Sequence, residues 1–162
     1  MKKHVEEYIE KFNQRDVSVE YKCVNALQHT PWRVNSFVCD VLRTAWNSGQ
    51  QWQGLPPRDN APVPPYPFAV DPKFLREDQK VEFKEFKSKR NKIYTENARN
   101  LSRRIQVERT IQLAEEYLAH DDFWFVWQLD FRGRKYPVES FLSPQNADYS
   151  KALLEFSQSV TM

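Results

Sequence analysis

The segment "FWFVWQLDFRGRKYP", residues 123–137, joins an apolar run to a charged turn. Phe123 to Gln128 is short and apolar at consecutive positions, which predicts a buried strand with two apolar faces. An aspartate, two arginines and a lysine then surround Gly133, the only glycine in the last hundred residues. Because glycine readily adopts a positive φ, we expect the chain to turn at Gly133.

The charged turn supports two interpretations. In the first, Arg132 and Arg134 bind phosphate oxygens, and the Tyr136 ring stacks on a base or contacts a sugar. Asp130 then holds the rotamer of one arginine or accepts a hydrogen bond from a ribose hydroxyl. In the second, the segment is a strand-end turn with an internal Asp–Arg pair and no ligand. The composition of the turn leaves both interpretations open.

The chain before this segment contains a long basic stretch. Residues 73–120 have no Pro or Gly, so we expect one long helix or two stacked helices, with Val107, Ile111, Ala114 and Leu118 buried. Between Lys73 and Arg109 there are 12 Lys+Arg against 6 Asp+Glu, a local charge of +6, whereas the remainder has 12 against 16. Glu96 is the only acidic residue between Ser88 and Val107, so ion pairs within the helix cannot balance this charge. Such a block suits a polyanionic partner.

A proline-rich segment precedes the basic stretch. Seven of the ten prolines lie between Gly54 and Pro72, and we expect an extended connector there because proline fixes φ and removes a hydrogen-bond donor. Pro62 to Pro65 contains a P-x-x-P pattern, and a protein-interaction ligand is the alternative.

The two ends of the chain are predicted to be helical. Val5, Tyr8, Ile9 and Phe12 have helical spacing, and a turn is expected over residues 13–16. Thr30-Pro31 is predicted to start the next helix, and Gly49 to stop it. Its apolar stripe is Val34, Phe37, Val38, Val41, Leu42 and Ala45. The last predicted helix covers residues 149–157, with Ala152, Leu153 and Phe156 facing inward.

Several functional classes have no support in the sequence. Two cysteines are too few for a disulfide framework, and their spacing fits no zinc motif, so reduced thiols are expected. There is no Walker loop, no G-x-G-x-x-G and no HExxH, and His4, His29 and His120 are scattered. No apolar stretch approaches 18 residues and the N-terminus has no apolar h-region, which predicts a soluble, cytoplasmic protein, in the host cell if the source is viral.

Three segments together resemble the phage-type single-subunit DNA-directed RNA polymerases. "FWFVWQLDFRGRKYPVESFLSPQNADYSKALLEF", residues 123–156, is similar to the segment that enters the palm of those enzymes: an aromatic strand, an Asp-aromatic-Arg-Gly-Arg-x-Tyr motif, Pro-Gln, and Asp before a Leu-Leu helix. "SRRIQVERTIQLAEEY", residues 102–117, resembles the end of the thumb helices. "NALQHTPWRVN", residues 25–35, resembles a helix start before the thumb. The three matches have the same order as in the family.

The resemblance implies roles for seven residues. Asp130 and Arg134 would contact the RNA–DNA hybrid and Tyr136 the template strand, as part of a motif with Arg132 and Gly133. Phosphate contacts would come from the thumb residues Arg103 and Arg104. All of these contacts are expected to be independent of sequence.

This chain also departs from the family pattern. Asn146 stands where glycine usually follows Pro-Gln, and residues 157–162 replace a glycine, a basic residue and proline. The metal-binding aspartates and the nucleotide-binding Lys and Tyr of the family lie beyond the matching stretch. The resemblance therefore implies Mg²⁺ for the complete enzyme, with no catalytic or metal-binding residue in this chain.

We therefore predict a mainly α protein: a helical thumb-like region with a short strand entering an incomplete α+β palm. The predicted regions are a helical N-terminal region (1–53), a Pro-rich connector (54–72), basic thumb-like helices (73–120) and the start of the palm (121–162). The predicted function is part of a DNA-directed RNA polymerase that binds the DNA template and the hybrid, inactive alone, with a possible second chain supplying palm and fingers. The alternatives are a non-catalytic nucleic-acid-binding fragment or regulator and a helical protein-interaction scaffold.

Overall fold

The part of the chain that the structure describes is mainly α-helical and contains four short strands. The computed structural model describes residues 3–13, 16–50, 52, 54–130 and 132–158. In chain order the helices are α1 (Lys3–Asn13), α2 (Ser18–Gln28), α3 (Ser36–Asn47), α4 (Glu77–Tyr117) and α5 (Asp148–Ala152), with a 3-10 turn at Pro72–Phe74. The strands are β1 (Trp32–Val34), β2 (Trp127–Leu129), β3 (Lys135–Pro137) and β4 (Leu154–Phe156). The predicted fold class is confirmed.

Residues 73–120 contain one long helix. The 41 residues of α4 extend about 60 Å at 1.5 Å per residue. Gln79 Oε1 accepts a hydrogen bond from the Arg76 amide at the start of α4, and two acidic residues in the first turn suit the helix dipole. Val107, Ile111 and Ala114 are buried as predicted, but Leu118 is exposed because the helix ends there.

The core forms where the second half of α4 meets α3 and the strands. α4 contacts both α3 and β1, whereas its first half extends beyond this core. The buried cluster consists of Val24, Val34, Cys39, Leu42, Trp46, Val107, Ile111, Ala114, Phe123, Phe125, Trp127, Leu142 and Leu153. These residues come from five of the helices and strands (α2, β1, α3, α4 and β2) and from segments between them, so distant parts of the chain share one core.

The connector has no regular secondary structure over residues 55–71, as expected for a proline-rich segment. It lies along α4. Asn97, buried in α4, accepts a hydrogen bond from the Ala61 amide (2.8 Å) and donates one to the Ala61 carbonyl (2.9 Å). Nearer the start of α4, the Tyr66 ring packs against the rings of Phe83 and Phe86.

Two predicted helix positions are wrong because the chain forms two paired strands there, β1 and β4. Thr30-Pro31 does not start a helix: β1 follows, and α3 starts at Ser36, where Asn35 Oδ1 accepts a hydrogen bond from the Val38 amide. Nor is 149–157 one helix, since α5 is followed by β4, which pairs antiparallel with β1. The Arg33–Glu155 ion pair (2.6 Å) joins the strands.

Other predictions near the ends have mixed outcomes. α1 confirms the first helix, although Val5, Tyr8 and Ile9 are exposed; the Phe12 side chain and residues 14–15 of the predicted turn lie outside the described residues. α2 was not predicted. α3 ends at Asn47, just before Gly49, as expected. Phe37 and Val41 of the predicted apolar stripe on α3 are exposed. Of the three residues predicted to face inward near the end of the chain, Leu153 is buried, whereas Ala152 and Phe156 are exposed.

The run from Phe123 is buried on one face only, which corrects the predicted strand with two buried faces. Phe123, Phe125 and Trp127 are buried, whereas Trp124 and Val126 are exposed. Only the end of the run pairs as β2, and Phe123 forms an isolated bridge with Trp32.

The two cysteines differ in burial, which gives a direct test of this fold. Cys39 is 2% exposed and burial raises the pKa of its thiol, whereas Cys23 is exposed. Because the thiolate is the reactive form, we expect one thiol per chain to react quickly with a disulfide reagent and the second only after denaturation. Cys23→Ser should remove the fast reaction. Two equally fast thiols would contradict this core.

In the part of the chain that the structure describes, no helix is long and apolar enough to cross a membrane.

Candidate nucleic-acid interface

The charged turn closes a β-hairpin. β2 and β3 pair antiparallel, with Gln128 opposite Tyr136. At the turn, the Gly133 amide donates to the Asp130 carbonyl (2.9 Å), and the Asp130 amide donates to the Arg134 carbonyl (3.0 Å). Gly133 has φ +78°, so the predicted turn at a left-handed glycine is confirmed.

The Asp130 carboxylate organises this turn. One oxygen accepts hydrogen bonds from the backbone amides of Arg132 (2.8 Å) and Arg134 (2.9 Å). The other accepts one from Arg134 Nε (2.6 Å). The internal Asp–Arg pair of the second interpretation is therefore present, and it fixes the Arg134 side chain in one orientation.

Arg134 remains accessible despite this pair. Its side chain is 58% exposed, and its guanidinium carbon lies 5.6 Å from the centre of the Tyr136 ring. The carboxylate bonds Nε, and no protein group among the described residues bonds the two terminal nitrogens of the guanidinium. Arg134 could thus bind a phosphate while Asp130 holds it, so the two interpretations are compatible.

The structure brings most of the predicted hairpin residues together. Side chains of a strand alternate between faces, and the pairing of Gln128 with Tyr136 places Asp130, Arg134 and Tyr136 on the same face. Arg132 is exposed beside them at the turn. Phe131, which completes the motif, lies outside the described residues.

The hydrogen bonds at Asp130 predict a response to acid. Partial desolvation raises the pKa of this carboxyl. Hydrogen bonds from the backbone amides of Arg134 and Arg132 and from the Arg134 side chain have the opposite and larger effect, so the pKa is lowered overall. A lowered pKa in the folded state gives stability that is present above the unfolded value and lost as pH falls below about 4. We expect the amide resonances of Arg132 and Arg134 to shift in this range, and the shift to disappear in Asp130→Asn. Amides that titrate identically in that variant would contradict this role.

Arg103 and Arg104, both on α4, have different surroundings. Arg104 donates to the Pro57 carbonyl (3.0 Å) and to Asn60 Oδ1 (2.7 Å), so it holds the connector against α4. Arg103 is exposed and lies near Tyr149. Burial raises the pKa of the Tyr149 phenol, and the positive charge of Arg103 partly offsets this rise. Among the described residues, no hydrogen bond or ion pair links either arginine to the hairpin.

Four basic residues form a further surface, the α4 basic face, which was not among the predicted site residues. Lys84, Lys87, Lys92 and Arg99 line one shallow groove together with Ser88, Asn91 and Thr95. The nearby Glu96 pairs with Arg99 (3.3 Å), but no carboxylate in the described part of the chain lies within 4.0 Å of the three lysine amines. The helical spacing of these residues was visible in the sequence and could have identified them.

The connector explains why this face is open. Phe83, Phe86 and Asn97 point toward the connector and contact Tyr66 and Ala61. The lysines lie on another side of the same helix, and all are exposed. α4 therefore presents basic side chains along its first half while the connector covers a different face.

No metal site is found in the described residues. Among them, no three His, Cys, Asp or Glu side chains lie close enough to hold a metal ion. The carboxylates of the described residues are not grouped as the paired-carboxylate Mg²⁺ site of two-metal nucleotidyl transfer requires.

Curated proteins similar to this chain are DNA-directed RNA polymerases. The chain is 27% identical over 96% of its length to the mitochondrial DNA-directed RNA polymerase 1B of Nicotiana tabacum, covering 15% of that protein. It is 32% identical over 85% of its length to the mitochondrial DNA-directed RNA polymerase of Schizosaccharomyces pombe, covering 11% of it. The chain is also 29% identical over 85% of its length to the chloroplastic DNA-directed RNA polymerase 3B of Nicotiana tabacum, and the match covers 13% of that polymerase. No protein-family model matches the chain.

Proposed function

This chain is homologous to one stretch of the phage-type DNA-directed RNA polymerases, and from this premise we propose that it binds the DNA template and the RNA–DNA hybrid during transcription. The observation that carries the proposal is the α4 basic face. Three lysines, for which the described residues offer no carboxylate partner, lie on one exposed side of a long helix. An elongated positive surface of this kind suits a phosphate backbone.

The hairpin turn supplies a second contact in this proposal. Arg134 keeps its terminal nitrogens accessible while Asp130 orients it, and Tyr136 lies on the same face of the hairpin. A preorganised guanidinium loses little conformational freedom when it binds a phosphate. Such contacts are independent of base sequence, as transcription of any template requires.

RNA synthesis itself belongs, in this proposal, to a longer polymerase. The chain spans 11–15% of the length of the relatives it matches, and its described residues hold no cluster of metal ligands. Mg²⁺, the metal-binding aspartates and the nucleotide-binding residues would come from the remainder, on this or a second polypeptide. The regions expected from the sequence, from 1–53 to 121–162, stay a prediction.

The cellular location also remains a proposal. The names of the matched relatives include the words mitochondrial or chloroplastic. These names do not support the predicted cytoplasmic location. Among the described residues no helix could span a membrane. An organellar location is the one we propose from the relatives.

The different surroundings of two neighbouring arginines test this function. We expect the wild-type chain to bind a short labelled RNA–DNA hybrid with an affinity that falls as salt rises. Arg103→Ala should reduce this affinity about fivefold to tenfold without lowering the melting temperature, because Arg103 is exposed and no other described residue forms a hydrogen bond or ion pair with its side chain. Arg104→Ala should lower the melting temperature, because it removes two hydrogen bonds to the connector.

The two variants are matched in charge, so a general loss of positive charge affects them equally. Equal loss of affinity at unchanged stability would refute the division of roles between the two arginines. A wild-type chain that binds no hybrid even at low salt would refute the proposed function.

A further inference from the structure

The connector is attached to α4 by polar bonds close to the core. The Arg104 guanidinium donates to the Pro57 carbonyl and to the Asn60 side chain. One turn of helix further from the core, Asn97 bonds both backbone groups of Ala61. These bonds fix the connector against the middle of α4.

A second attachment consists of aromatic rings, which we call the aromatic clasp. The connector contributes Tyr66 and Phe68, and α4 contributes Phe83 and Phe86. The centre of the Tyr66 ring lies 6.0 Å from that of Phe83 and 6.2 Å from that of Phe86. The Tyr66 hydroxyl donates to the Val70 carbonyl (2.8 Å), which ties the ring to the chain four residues later. The clasp therefore joins the connector to the first half of α4.

The first half of α4 has little other packing. Residues 77–96, all of which the structure describes, include no buried side chain, and Asn97 is the first buried residue of the helix. A helical stretch of this length without tertiary packing is only marginally stable in water. The half-buried rings of the clasp supply such packing. The helical form of this half is thus expected to depend on the clasp.

The lysines of the α4 basic face weaken the same half of the helix. Lys84 and Lys87 are three residues apart, as are Lys89 and Lys92. Like charges at this spacing are neighbours on a helix and repel each other. A bound polyanion would remove this repulsion. A polyanion and the connector would therefore stabilise the same half of α4 from different sides.

We propose that the connector is a strap that keeps the first half of α4 helical in the free protein and so sets how strongly the α4 basic face binds a polyanion. The proposal rests on the proposed function for the identity of this polyanion as an RNA–DNA hybrid. If the helix is formed in only a fraction of the molecules, the affinity for a ligand of the formed helix falls by that fraction. By linkage, connector docking and polyanion binding then favour each other.

The experiment opens the clasp from the connector side of the full chain. Tyr66→Ala with Phe68→Ala removes two rings and leaves the sequence of α4, and with it the helix propensity and charge of α4, unchanged. The matched control, Val70→Ala with Phe74→Ala, removes two exposed apolar side chains of the same region. Hydrogen exchange is followed by mass spectrometry over residues 77–96 and 105–117. Calorimetric titration measures the binding of an RNA–DNA hybrid and of inorganic polyphosphate.

We expect residues 77–96 of the clasp variant to exchange about tenfold faster than in the wild type, because this half of α4 then opens locally. Exchange over residues 105–117, which lie in the core, should be unchanged. The affinity for both polyanions should fall about threefold in the clasp variant, although every basic residue is retained. Saturation with either polyanion should slow exchange over residues 77–96 in all three proteins. The control variant should behave as the wild type does.

Unchanged exchange over residues 77–96 in the clasp variant would overturn the strap. Faster exchange with undiminished affinity for both polyanions would also overturn it, as would equally faster exchange over residues 105–117, which would mean that the clasp supports the whole fold. If polyphosphate binds in a clasp-dependent manner and the hybrid does not bind, the strap stands and the proposed function is refuted. A wild type that binds neither polyanion would refute both.

Discussion

Replacing Lys84, Lys87 and Lys92 by alanine is expected to lower the affinity for an RNA–DNA hybrid roughly 100-fold. The three amines lie on one exposed side of α4 and have no carboxylate partner in the described part of the chain. If each makes one phosphate contact worth about 1 kcal/mol, the sum corresponds to roughly two powers of ten in affinity. The loss should be largest at low salt, where release of counterions contributes most.

The salt dependence separates phosphate contacts from other effects. Each phosphate contact contributes about 0.7–0.9 to the slope of log K against log salt, so the triple variant should have a slope smaller by about 2–3. Fluorescence anisotropy of a labelled hybrid over a salt series gives both the affinity and the slope. The matched control is Lys11, Lys22 and Lys151 to alanine, which removes the same charge elsewhere. If both triple variants lose affinity equally, net charge and not the α4 basic face attracts the hybrid.

Asn97→Ala is expected to lower the free energy of unfolding by about 2 kcal/mol. The buried Asn97 amide group bonds both the amide and the carbonyl of Ala61, and it is part of the attachment of the connector to α4. Alanine leaves both backbone groups without their protein partner, although water can reach them in part because Ala61 is exposed. For a protein of this size the melting temperature should fall by about 4–8 °C.

Asn91→Ala is the matched control for this prediction. It makes the same substitution six residues earlier on the same helix, at an exposed position. Both variants gain the same helix propensity, so their difference isolates the bonds to Ala61. Thermal unfolding followed by circular dichroism measures both. Equal melting temperatures would show that Asn97 does not anchor the connector.

Local patterns predicted the elements that depend on neighbouring residues. A stretch without Pro or Gly became α4, the proline-rich segment lacks regular structure, and the chain turns at Gly133 with a positive φ. In each case the decisive interactions lie within a few residues: helix hydrogen bonds, the ring of proline, or the missing side chain of glycine. The Asp130–Arg134 pair also joins residues only four apart, and the sequence allowed it to be proposed.

The incorrect predictions involve residues far apart in the chain. β1 and β4 pair across more than 100 residues, so neither Thr30-Pro31 nor residues 149–157 could reveal from local pattern that a strand forms. The surroundings of Arg104 also depend on distant residues, because its guanidinium bonds Pro57 and Asn60, more than 40 residues earlier. The phosphate contact that the resemblance implies for Arg104 stays a prediction.

The sequence by itself determined that this protein is mainly helical, that its charge is concentrated between Lys73 and Arg109, and that it resembles a polymerase stretch. These properties follow from composition, from residue spacing and from motifs read along the chain. Only the tertiary structure decided which basic residues are accessible and which face of the run from Phe123 is open. Exposure depends on what packs against a residue, and here the connector and the paired ends of the chain come from distant positions.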